Sequence, residues 1–216
     1  MDILFKTFLT LHIIAGTLGL LSGTINIIGK KGGHIHRLVG KVFLYSMLMV
    51  SVSAFVLSII HPNYFLFIVG VFTLYLVSSA TRYLELKQLV SGQKPKALDW
   101  ALTYFMLIFG IVFIAFGTFH LVSKNMFGIV FIVFGGIGLR MVKADFDHYK
   151  GKSKIKNVWL TVHIQRMIGA YIAALTAFLV VNNQVLPGYI AWLLPTIILT
   201  PLIVKWSRKY QIKLDE

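Results

Sequence analysis

Four of the seven histidines in this 216-residue chain fall on predicted helices: His12, His36 at the start of the second, His120 and His163. Imidazole is the commonest metal ligand, and it costs less to bury neutral than a full charge does. His12 is followed by Gly16, Gly19, Gly23 and Asn26, spacings that place all five on one stripe of a helix. A histidine heading a trench of glycines suits an axial haem ligand beside a flat macrocycle, and the same stripe also suits close packing of membrane helices. His36-x3-Gly40 repeats the first step, and Gly117 precedes His120 by one turn. Arg166, three residues after His163, is placed either to snorkel to the interface or to face the protein, pair with Asp99 or Glu85, and hold a haem propionate, a quinone oxygen or a lipid phosphate. His34, His61 and His148 read as loop residues.

Other chemistry is excluded by what the sequence lacks. There is no cysteine, which removes disulfides, thiolate zinc sites, iron-sulfur clusters and covalent haem attachment. The seven acidic residues (Asp2, Glu85, Asp99, Asp145, Asp147, Asp215, Glu216) fall in predicted termini, loops or inner helix ends. None falls near the bilayer midplane, so ion-coupled transport, which usually keeps a carboxylate at mid-depth, and carboxylate-pair hydrolysis, which needs two in one cavity, both lose weight. No G-x-S-x-G, H-E-x-x-H or phosphate-binding loop is present.

The elements that must position these residues follow from composition. With 57% hydrophobic and 13% charged residues and a mean hydropathy of +0.81, the chain is too apolar to present a water-facing surface. Charge-free runs, divided at His61-Pro62-Asn63 and at Asn182-Asn183-Gln184, predict an all-α bundle of seven transmembrane helices at 4–29, 38–60, 64–90, 98–121, 125–143, 157–182 and 187–208, forming one transmembrane domain over 1–216. The glycine-rich first and fifth helices are expected inside the bundle. Only fifteen charge-free residues, 125–139, support the fifth, a rise of about 22 Å unless Arg140 and Lys143 snorkel.

The formal charge of +14 could suggest nucleic acid, but its distribution points to topology instead. Lysine and arginine number four, four, six and four in the first, third and fifth connections and the C-terminal tail, against Lys6 and Lys124 on the other side. Such a split predicts an external N-terminus and a cytoplasmic C-terminus, with the basic loops attracting anionic lipid. Trp100, Trp159 and Trp206 fall at the expected inner interface and Trp192 near the outer one. The first apolar run follows Asp2 rather than a basic segment, and so reads as a span and not as a cleaved leader. In helix seven, Thr196 and Thr200 stand beside Pro195 and Pro201 and can repair the carbonyls those prolines release.

Three motifs, His12-x3-Gly16, His36-Arg37-x2-Gly40 and His163-x3-Met167-x3-Tyr171, together resemble an uncharacterised bacterial family of multi-pass membrane proteins, a domain of unknown function. The likeness covers helices one, two and six. The chain departs from the later motif in carrying Arg166 near the family's tryptophan and Gly169 in place of a second arginine. The resemblance implies an integral membrane fold with recurrent histidine and arginine and no established activity.

Three functional expectations follow. One is a b-type haem or quinone-linked redox protein of a bacterial inner membrane, with His12 and His120 as an outer ligand pair and His36 and His163 as an inner one. Another is a non-enzymatic transporter, lipid-binding or assembly protein. A third is a membrane zinc-dependent hydrolase, with His36, His163 and Asp99 as ligands at the cytoplasmic interface and a lipid-like substrate entering laterally.

Overall fold

A computed structural model describes residues 2–212 of the chain. The described chain is helical: α1 (Asp2–Ile28), α2 (His34–Ile60), α3 (Tyr64–Tyr83), α4 (Ala97–Val122), α5 (Gly128–Tyr149), α6 (Val158–Asn182) and α7 (Gly188–Tyr210), with a 3₁₀ turn at Leu89–Ser91 and no strand among the described residues. All of these helices except α5 contain a stretch long and apolar enough to cross a bilayer, and the chain is an integral, multi-pass membrane protein. The fold gathers into two compact units, Met1–Ser78 with Gln165–Trp206 and Ser79–Ile164 with Ser207–Glu216. Helices α3, α6 and α7 each contribute to both.

Burial corrects one expectation. The apolar window of α3 is 61% buried and that of α1 only 11%, so α3 carries the core and α1 lies at the edge, with Ile3, Ile13, Leu21 and Ile28 exposed. The glycine stripe of α1 is a contact face and not a buried axis. A side chain at Gly19 would meet Met47 of α2, and one at Gly23 would meet Tyr171 of α6 and Phe43 of α2. Asn26, with its amide oriented to satisfy both partners, sits 3.3 Å from the His36 carbonyl and 3.0 Å from the Gly40 amide. Packing, the bland half of the reading offered for that stripe, accounts for three of its five members.

In the second unit, α4 and α5 form an antiparallel hairpin closed by glycine. A Cβ at Gly117 would stand 2.8 Å from the Gly128 carbonyl oxygen, and one at Gly135 would stand 2.9 Å from the Gly110 carbonyl oxygen. Both contacts fit one antiparallel register, with seven residues separating the glycines on each helix and the backbones in near contact. Fully buried Tyr83 and Leu86, with Leu89, Val158 and Val162, form an apolar cluster at the same unit's turn region.

Three helix boundaries differ from expectation. Helix α3 ends at Tyr83 and not near 90, because Leu84, Glu85 and Leu86 turn tightly onto the carbonyls of Thr81, Arg82 and Tyr83, which carries Leu86 and Leu89 into that cluster. Gly92, at φ 94°, closes the turn in the left-handed region that favours glycine. Helix α2 begins at His34, four residues early, after Gly33 in extended backbone. Helix α5 continues past 143 to Tyr149, because its last turn meets polar partners from α3 and α4. His34 and His148 are therefore helical residues and not loop residues.

Candidate functional site

The second unit holds a chain of buried polar side chains. Tyr83 at the end of α3, Thr103 in α4 and Asp145 in α5 are all completely buried. The Tyr83 hydroxyl donates to Asp145 Oδ1 at 2.7 Å, and the Thr103 hydroxyl lies 3.2 Å from Asp145 Oδ2. His148 Nδ1 approaches the same Tyr83 oxygen at 3.1 Å. Since the phenol proton points at the carboxylate, the oxygen accepts from His148 Nδ1–H, and the three groups align as donor, relay and acceptor. His148 is only half-buried, so this chain of hydrogen bonds runs from a partly accessible imidazole to an inaccessible carboxylate. Tyr149 completes the wall: its hydroxyl lies 3.3 Å from that of Thr103, its ring stacks on Tyr83, and Trp100 packs edge-on against it at 5.0 Å.

Local sequence explains the convergence. Asp145, His148 and Tyr149 stand at i, i+3 and i+4 on the last turns of α5, which gives them one face, and Asp99 and Thr103 share a face of α4. Asp99 itself is structural. One of its oxygens accepts from Arg82 Nε at 2.7 Å and the other from the Lys96 backbone amide at 2.7 Å, so it anchors the first turn of α4 to the end of α3. Arg82 also reaches Glu85 at 2.5 Å.

In the first unit, His12 Nδ1 lies 2.9 Å from the Ser53 hydroxyl of α2. That hydroxyl gives its one proton to a backbone carbonyl, Met49 at 2.7 Å or Val50 at 3.0 Å, so it accepts from the His12 ring, which also hydrogen-bonds the Val50 backbone. Arg166 is 3% exposed, and its guanidinium lies over the ring of Tyr75 at 4.9 Å. It faces protein and does not snorkel. Thr24 and Tyr171 share a hydrogen bond of 2.7 Å, which places the tyrosine of the third motif against the glycine stripe of the first.

Of the predicted site residues, His12, His36 and Arg166 fall within the first unit, and His120, His163 and Asp99 within the second. His120 stacks on Phe131 at 5.6 Å, and His163 Nδ1 donates to the Ala80 carbonyl at 3.1 Å. Among the described residues no group of three or more His, Asp or Glu could hold a metal ion. Asp99, offered as a zinc ligand and as a partner for Arg166, has both oxygens engaged as described, and the same Arg82 takes Glu85. Sequence reasoning missed Arg82, Tyr83, Thr103 and Tyr149 and placed Asp145 and His148 at an inner helix end and in a loop. The one-face spacing of Asp145, His148 and Tyr149 was the available signal.

Comparison of the chain with protein-family models, with curated proteins and with solved structures finds no match.

Proposed function

We propose that this is a proton-exchanging membrane protein of the transporter class, working through Asp145, with Tyr83 as relay and His148 as the group that exchanges with water. The observation that carries this is the unbroken hydrogen-bond sequence from half-buried His148 through Tyr83 to fully buried Asp145. The step balances: His148 gives its Nδ1 proton to the phenol oxygen as the phenol proton passes to Asp145, which leaves tyrosine neutral, the carboxyl protonated and one proton fewer on imidazole. Ionisable groups buried in membrane proteins are costly, and proton relays are among the roles that retain them.

The same proposal includes the finer topology. Helix α5 spans about 33 Å over its 22 residues and runs antiparallel to the apolar span α4 through both glycine contacts, which supports a seventh crossing. With seven crossings, the basic connections and the C-terminus lie in the cytoplasm and the N-terminus outside, in a bacterial inner membrane whose anionic lipid the loops attract. The motif likeness to the uncharacterised bacterial family is kept at the same level.

Infrared difference spectroscopy of the reconstituted protein between acidic and neutral pH tests the reading. Asp145 is expected to contribute a protonated-carboxyl band that is lost in Asp145→Asn and develops more slowly in Tyr83→Phe and His148→Gln. A difference spectrum unchanged by Asp145→Asn, or a rate unchanged by both relay variants, refutes it.

A second reading, a b-type haem or quinone-linked redox protein, is favoured by one observation. The Ser53 hydroxyl, 2.9 Å from Nδ1, orients the His12 ring, as hydrogen-bond partners orient a metal-ligating imidazole. Only Val50, at 4.0 Å, stands near the space beside Gly16.

A further inference from the structure

The first unit carries a groove that the proton-exchange reading does not use. Its cavity of about 380 Å³ lies between α1, α6 and α7 and is walled by Ile27, Ile28, Leu175, Leu179, Leu194 and Ile198. The hydroxyls of Thr24 and Tyr171, on residues that also line it, are hydrogen-bonded to each other, so the groove presents a nearly continuous hydrocarbon surface. Ile28 and Ile198 are 80% and 59% exposed, and the groove opens to the side, toward the bilayer in a helix set of this kind.

One end of this groove is basic. Lys30 and Lys31 follow α1 directly, and Lys205 lies one and a half to two turns beyond Ile198 and Leu199 on α7. The two helix ends meet there, since Lys31 Nζ sits 4.2 Å over the ring of Trp206. Arg37 and Lys41 on the first turns of α2 add to the charge. The sole acidic residue within this unit's bounds is Asp2, at the far end of α1, about 40 Å away along the helix. Lys31 also donates to the carbonyls of Ile27 and Gly29 at 2.6 and 2.8 Å, which fixes it at the mouth. Burial lowers its pKa, and a phosphate nearby would reverse that shift.

We propose that this groove holds one anionic diacyl phospholipid, an acyl chain lying along α1, α6 and α7 and the phosphate at the mouth formed by Lys30, Lys31 and Lys205. The charge complementarity selects the occupant: hydrocarbon alone would suit any lipid, but a basic collar with no acidic neighbour in its unit discriminates for a net negative headgroup. Trp206 occupies the headgroup level beside it, as interfacial tryptophans do.

Native mass spectrometry of the full chain in detergent, titrated with phosphatidylglycerol or phosphatidylcholine, tests this. Wild type is expected to retain one phosphatidylglycerol about tenfold or more better than phosphatidylcholine. Lys30→Gln with Lys205→Gln, both exposed positions, should abolish that preference, and Ile198→Trp should reduce retention of both lipids by filling the groove. Lys6→Gln, an exposed position at the other end of α1, should leave the preference intact. Equal retention of the two lipids by wild type, or equal loss in Lys6→Gln, overturns the proposal.

Discussion

Replacing Gly117 with alanine probes a contact at which the backbones of α4 and α5 nearly touch. A methyl there would stand 2.6 Å from Ile132 Cγ1, 2.8 Å from the Gly128 carbonyl oxygen and 3.0 Å from the Ile132 amide nitrogen. Two of those three atoms are backbone, so relief requires α4 and α5 to part and not a side chain to rotate. Gly136, on α5, has nothing within 4 Å of its would-be methyl. Alanine gains about 1 kcal/mol over glycine inside a helix, a term shared by both positions that cancels in their difference. What remains is overpacking at 117, about 1–3 kcal/mol. Gly136→Ala should therefore match or exceed wild type in a detergent unfolding titration, and Gly117→Ala should fall below it by that difference. Gly128→Ala, whose methyl would stand 2.5 Å from the Gly117 oxygen, should behave like Gly117→Ala. Equal midpoints for Gly117→Ala and Gly136→Ala would refute the close α4–α5 crossing, and with it the register that supports α5 as a span.

Arg82→Gln should destabilise by about 3–5 kcal/mol, since it strips the cation from a carboxylate that is 1% exposed; adding Asp99→Asn should recover part of the loss, because asparagine still caps α4, and no recovery in the same unfolding assay would mean the pair is not coupled. For the redox reading, protein purified from haem-sufficient cells should show a Soret band that His12→Ala removes, and a band absent from wild type or unaltered by the substitution ends that reading.

Much of the fold was legible because hydrocarbon thickness imposes a length that charge-free runs must meet. The turn at His61-Pro62-Asn63 separates α2 from α3, and the Asn182–Gly188 segment separates α6 from α7, where the sequence expected each. Periodicity could not say which helices are central. The glycines of α1 share a stripe with the same spacing whether the helix is enclosed or peripheral, and only the partners Met47, Phe43 and Tyr171 reveal that one face is packed while Ile13 and Leu21 are exposed. Nor did hydropathy extend α5 far enough. Asp145 and His148 look like the charged end of a span until Tyr83 and Thr103 supply hydrogen bonds that make continued helix cheaper than a loop.

The site was less legible for a related reason. Histidine in apolar sequence is conspicuous, so His12, His36, His120 and His163 drew the chemistry, yet His120 stacks on Phe131 and His163 bonds a backbone carbonyl, roles with no sequence signature. The buried network is instead assembled from residues that look ordinary one at a time: a tyrosine at a helix end, a threonine one turn after an aspartate, and an aspartate among lysines. Their significance depends on a fully buried Asp145 being bonded on both oxygens while its route outward ends at His148. It is this asymmetry, an inaccessible carboxylate at one end and a half-buried imidazole at the other, on which the proposed proton exchange rests.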